Sequence, residues 1–313
     1  MKKLVIALLT VFLVLNLTAI EVETNDLHVL GGIDFANKDK AGSMNFLIPG
    51  LSYEFEGGVN DELTLFFESE LGFSMSTYSF DGNYADYAEK TIYIGLNPSL
   101  EYSLFENSTF SLALPFALEN ISPAIEDAEF EMANSLNIET AIDYSTLEED
   151  IEGSSPWASF EEGYSIALQF GMGLFEKVGD ETADEKNMTI GTEVVYSYFN
   201  KKNLFMIKPS LVLAKHLNDK VSEAIEIETA LTFNKDLGKL FSTELAFAVI
   251  SEKADSDTDL VNGFDLNLTL LYYPIDELEV SIFTGFDKGD FSDSDEKMNI
   301  RFGLGLDYEI FAK

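Results

Sequence analysis

Residues 298–310 read MNIRFGLGLDYEI. Met298, Ile300, Phe302, Leu304, Leu306, Tyr308 and Ile310 fall on one parity. Asn299, Arg301, Gly303, Gly305, Asp307 and Glu309 fall on the other. Period two sustained over this length is a strand with one apolar and one wet face. Residues 63–75, LTLFFESELGFSM, repeat it: Leu63, Leu65, Phe67, Leu71, Phe73 and Met75 oppose Thr64, Phe66, Glu68, Glu70, Gly72 and Ser74. The pattern returns with Ile92, Ile94, Leu96, Pro98, Leu100, Tyr102 and Leu104.

Fourteen such segments run along the chain, at about 27–36, 43–56, 62–75, 90–104, 109–120, 128–144, 161–175, 188–200, 204–216, 221–233, 240–250, 263–273, 278–287 and 297–311. Most are longer than the ~5–6 residues of soluble strands and long enough to cross a bilayer at a tilt. Short turns such as Gly57–Asp61, Asn107-Ser108, Asn200–Asn203, Asn234–Gly238 and Pro274–Asp276 alternate with longer polar loops at 76–89, 176–187, 251–262 and 288–296. Two connections break the alternation: 216–220 is short and 145–160 is long. If both termini share one side, the strand number is even. Fourteen is expected, or twelve if 128–144 is a helix or a loop folded inward.

The first residues, MKKLVIALLTVFLVLNLTAI, carry a positive start, an apolar run and a small residue at Ala19. They read as a signal peptide over residues 1–19, with a membrane anchor as the alternative. Residues 20–313 then form a single domain. No later apolar run reaches the ~18–20 residues of a spanning helix. The chain has no cysteine, which excludes a disulfide framework and a Cys-ligated zinc. Its 19 basic and 56 acidic side chains give a formal net charge of −37, which argues against nucleic acid as a partner. With 26 Phe and 13 Tyr it is not a disordered acidic chain.

Aromatic residues cluster at the short-turn end: Tyr53, Phe55, Tyr102, Tyr196, Tyr198, Tyr272 and Tyr308 close strands there, and Phe110, Phe205 and Phe241 open them. An interfacial girdle has this bias. On these residues the chain resembles bacterial outer-membrane β-barrel proteins of the monomeric, porin-like kind. The resemblance is architectural and covers nearly all of the chain after the signal peptide. Phe302, Leu304, Leu306, Tyr308 and Ile310 match the family's C-terminal assembly pattern, although the chain ends in Phe311-Ala312-Lys313 and not on an aromatic residue. The resemblance implies an all-β, transmembrane, antiparallel up-and-down barrel in the outer membrane of a two-membrane envelope, with lipid as a partner and a monomer favoured. The short-turn end would be periplasmic. A soluble lipocalin-like barrel or sandwich is the alternative fold, but so many polar residues on one face would leave its interior unfilled.

With the apolar parity toward lipid, the other parity lines a lumen. Its acids are Glu54, Glu68, Glu70, Glu101, Glu119, Glu129, Glu131, Glu139, Glu193, Glu226, Glu228, Glu244, Asp265, Glu279, Asp307 and Glu309; its bases are Lys208 and Arg301. An unpaired buried carboxylate costs several kcal/mol, so the lumen must be hydrated or hold metal ions. A hydrated acidic lumen favours cations. The expectation is a passive channel for small hydrophilic solutes with cation preference, in which Lys208 and Arg301 face the acids across the pore. The rival reading is a surface-exposed structural or adhesin-type barrel whose acidic loops bind a partner or divalent cations.

Other chemistry is thin. His28 and His216 are the only histidines, and His216 beside Asn218 and Asp219 reads as turn chemistry. No catalytic constellation, cofactor or specific metal site is expected. Asp255-Ser256-Asp257-Thr258-Asp259 echoes a calcium loop but lacks its glycine and its final glutamate.

Overall fold

An alternating sequence cannot bury a helical stripe, so its backbone hydrogen bonds must be met between strands. The computed structural model describes residues 21–38, 41–60, 62–80, 83–122, 131–152, 159–178, 181–182, 188–217, 224–253, 260–290, 293 and 297–311. The regular elements among them are all strands. The first eight are β1 (Glu21–Lys38), β2 (Ala41–Asn60), β3 (Leu63–Phe80), β4 (Asn83–Phe105), β5 (Ser108–Ala113), β6 (Phe116–Ser122), β7 (Glu131–Ser145) and β8 (Glu148–Glu152). β9 (Ser159–Val178), β10 (Glu181–Thr182), β11 (Met188–Asn200), β12 (Phe205–Leu217) and β13 (Ala224–Asp236) follow. β14 (Phe241–Lys253), β15 (Val261–Ile275), β16 (Leu278–Lys288) and β17 (Asn299–Phe311) complete the chain.

Neighbours pair antiparallel, and the last strand closes on the first: Val29 lies opposite Tyr308 and Ile33 opposite Leu304. The described residues form a closed barrel of 14 strands. β5 and β6 together fill one place in the wall, between β4 and β7. Their break falls at Leu114-Pro115, because proline has no N–H for the ladder. The Leu114 N–H still donates to the Pro98 carbonyl at 3.0 Å, and the Pro115 carbonyl accepts from Asn137 at 2.9 Å. β8 and β10 are short and pair with β9.

Register sends one parity outward. Leu168 and Phe302 are 60% and 54% exposed, while the adjacent Ala167 and Gly303 are buried. Apolar surface on this scale is unfavourable in water by ~25 cal/mol per Å² and belongs against hydrocarbon. β11 to β14 have 13 residues each. At about 3.3 Å per residue and a ~45° tilt they cross roughly 30 Å, the hydrocarbon thickness.

Polar side chains close the short turns. Asn60 Oδ1 accepts from the Glu62 and Leu63 N–H groups at 2.9 and 3.0 Å. Asn107 takes a φ of 63°, which asparagine tolerates better than most residues. Asp236 Oδ1 accepts from the Gly238 N–H at 2.7 Å.

The fourteen-strand expectation holds, and two connections differ from the sequence reading. Residues 131–145 form a wall strand, which excludes the twelve-strand alternative. Within the long loop expected at 76–89, residues 76–80 and 83–89 are ladder: Tyr78 lies opposite Tyr87 and Phe80 opposite Asn83. The connection at 145–160 contains β8, with Ile151 opposite Phe160. The segment read as a signal peptide, Glu129 and the Asp255–Asp259 run lie outside the described residues.

Candidate functional site

β17 presents Arg301 on the inner parity, opposite Gly285 of β16, which is in turn opposite Asn267 of β15. The guanidinium Nη2 donates to Asp265 Oδ2 at 2.6 Å and to Asn267 Oδ1 at 3.1 Å, and Nε lies 3.0 Å from Asp287 Oδ1. Asn299 donates to Asp287 at 3.0 Å. Gly285 leaves the room for this arrangement, since a Cβ there would strike Asn267 Oδ1 and stand 3.2 Å from Arg301 Nη2. The cluster lines a cavity of about 410 Å³ with Glu252 and Lys288.

Elsewhere on the wall, Glu54, Glu68 and Glu70 line a cavity of about 470 Å³ with Ser52, Tyr93, Asn97 and Asn137. Register places Glu54 directly opposite Glu68. Like charges in that position repel and are tolerated when water screens them. Asn97 donates to Glu68 at 3.0 Å. Glu119 lies opposite Tyr93.

The remaining predicted residues occupy inner-parity positions. Glu101 is opposite Thr64 and Ser111, and Glu139 is opposite Gly171. Glu193 accepts from Gln169 at 3.3 Å. Glu226 and Glu228 are opposite Ala214 and Val212. Glu244 is opposite Asn234, Glu279 opposite Asp307, and Glu309 opposite His28. Glu131 holds a ladder position opposite Ile121.

Lys208 Nζ lies 2.7 Å from Glu161 Oε2. Neither cation therefore faces its acids across the pore, as the sequence led us to expect. Arg301 is held by neighbouring strands of its own wall, and Lys208 by the start of β9. His216 is not a turn residue either. It lies within β12, with Nε2 3.3 Å from Glu226 and Nδ1 3.1 Å from the Thr189 hydroxyl. His28 Nδ1 meets Asp307 at 2.9 Å.

Parity reasoning missed Glu161, Asp287 and Asp143. Asp287 shares the parity of Glu279, and Glu161 that of Gly171, so the signal was present in both segments. Asp143 and Glu193 flank Ala167 from the strands on either side. Among the described residues no group of three or more His, Asp or Glu is placed to hold a metal ion.

No protein-family model and no curated protein matches the sequence. Solved structures do share the fold. An anion-selective porin from Comamonas acidovorans is 11% identical, with a TM-score of 0.52 over 93% of this chain and 100% of that chain. The loop L8 deletion mutant of OmpT, an outer membrane protein of Vibrio cholerae, is 12% identical, with a TM-score of 0.49 over 91% and 98%. OccK7 of Pseudomonas aeruginosa is 10% identical, with a TM-score of 0.47 over 92% and 99%. The chain has the fold of bacterial outer-membrane β-barrels, without a motif of any one family.

Proposed function

We propose that this protein is an outer-membrane, porin-like channel that passes small hydrophilic solutes passively and prefers cations. The carrying observation is the cavity edged by Glu54, Glu68 and Glu70, whose lining includes no basic side chain. Three carboxylates there require water, and water in a barrel wall opens a path for solutes. The two inner-parity cations do not reverse the balance. Arg301 sits between two carboxylates, and Lys208 is matched by Glu161.

Selectivity is set by lumen charge and not by the fold that carries it. Likeness to a porin described as anion-selective is therefore compatible with the opposite preference. On this reading the pore-lining residues are the inner-parity acids, with Glu54, Glu68 and Glu70 foremost. His28 and His216 are engaged with carboxylates and take no catalytic role.

The test is single-channel recording from the refolded protein in a planar bilayer under a potassium chloride gradient. Discrete conductance steps with a reversal potential favouring potassium are expected. Absence of steps, or a reversal potential favouring chloride, overturns the reading.

A further inference from the structure

The buried apolar cluster among the described residues is Phe160, Phe199 and Met206, with Ile151 and Leu204 packed against it. Its place in the barrel is unexpected. Tyr196 and Tyr198, on the outer parity of β11, are 53% and 42% exposed; Val195, Ser197 and Phe199, on the inner parity, are 7%, 1% and 5% exposed. An inward side chain on an open barrel would be wetted by the lumen. These three are shielded from it, so something covers them on the lumen side.

The cover is the chain that enters β9. In the wall, β9 pairs with β11 and β11 pairs with β12. β9 and β12 share no ladder, yet the start of β9 reaches across to β12. The Glu161 N–H donates to Met206 Sδ at 3.3 Å, and Lys208 Nζ lies 2.7 Å from Glu161 Oε2. Between them, the Ser197 hydroxyl donates to the Glu161 carbonyl at 2.7 Å. The Phe160 and Phe199 rings stack with centroids 4.6 Å apart and planes 18° apart. Phe160 and Glu161 therefore lie over the lumen side of β11.

Gly163 makes the inward bend. Its φ is +137°, and a Cβ would collide with the Thr146 carbonyl oxygen. β8 is carried along, with Glu148 opposite Glu162 and Ile151 opposite Phe160. This folding occurs at the end of the barrel where β1 begins, β17 ends and the short turns lie.

We infer that β8 and the start of β9 narrow the lumen at the terminal end, and that the Glu161–Lys208 ion pair latches them there. The inference rests on the channel reading and assigns its size limit to one place. The Glu161–Lys208 pair neutralises only itself: β8 carries Glu148, Glu149, Asp150 and Glu152, and Glu162 lies opposite Glu148, so the narrowing adds carboxylates to those of the Glu54–Glu68–Glu70 wall.

Two measurements test it. The first is single-channel conductance of the Phe160→Ala/Glu161→Gln double variant. Releasing the cover widens the narrowest section and raises conductance by about twofold or more, because conductance follows the tightest constriction. The second uses the absence of cysteine from the chain. Ser197→Cys should resist a water-soluble maleimide in folded protein, while Glu68→Cys, on the open wall, reacts. Adding Phe160→Ala/Glu161→Gln should then expose the Ser197→Cys thiol. Equal labelling of the two thiols, or unchanged conductance in the double variant, overturns the inference. Silence of wild type and variant alike overturns the channel reading instead, while the labelling contrast still decides whether the chain folds inward.

Discussion

Arg301 is the chain's single arginine and is held between carboxylates that would otherwise repel each other. Asp265 lies directly opposite Asp287, so the guanidinium separates two like charges. All three side chains are about one-third exposed, and solvent screening limits what the pairing contributes. Arg301→Met should cost about 1–2 kcal/mol of stability, read as a lower urea midpoint for unfolding in lipid vesicles. It should also raise the cation permeability ratio, because two carboxylates lose their counterion. A shift toward anions contradicts this account. Gly285→Val should move selectivity the same way with the arginine still present, since the added side chain displaces the guanidinium from Asn267 and Asp265. An unchanged reversal potential in that variant would show that the glycine is not needed for the cluster. The inner position of Arg301 is legible from parity alone. Its partners are not, because parity fixes a face while register decides which residues of the next two strands come alongside.

Parity within a strand has opposite consequences at adjacent positions. Leu245 of β14 faces outward and is 40% exposed, while Ala246 shares the inner parity of Glu244. Leu245→Arg places a charge in hydrocarbon and should cost about 2–4 kcal/mol, visible as reduced folding yield and a lower unfolding midpoint. Ala246→Arg should fold normally and lower the cation preference measured by reversal potential. Equal destabilisation by both variants would contradict the assignment of faces. The strands themselves are the most legible part of the sequence: the period-two segment at 188–200 coincides with β11. Lipid demands an apolar residue at every second position only within its own thickness. Beyond it the ladder of β3 and β4 continues over 76–80 and 83–89 with no such demand, so strand and loop look alike there. The inward stretches at 148–152 and 159–161 are illegible for a related reason. Ile151 and Phe160 answer to the inner faces of β11 and β12, and that neighbourhood exists only once the barrel has closed.

Closure turns a list of acids into a field. A barrel of 14 strands at ~4.8 Å spacing and ~40° tilt has a backbone radius of roughly 14 Å. Inward side chains reduce the free radius to less than about 10 Å, close to the Debye length of ~10 Å at 0.1 M salt. At that ionic strength the carboxylates act on ions anywhere in the cross-section. At 1 M the screening length shrinks to ~3 Å, and a solute on the axis no longer senses the wall. The cation permeability ratio should therefore be highest in dilute potassium chloride and fall toward unity between 0.1 and 1 M. Reversal potentials at a fixed concentration ratio, taken across that range, measure it. Glu68→Gln/Glu70→Gln should flatten the curve by lowering its dilute end, where the field of these acids reaches farthest. Selectivity that persists undiminished at 1 M would place the discriminating groups within contact distance of the ion. The inward chain beside Lys208 and Glu161, and not the open acidic wall, would then be where ions are chosen.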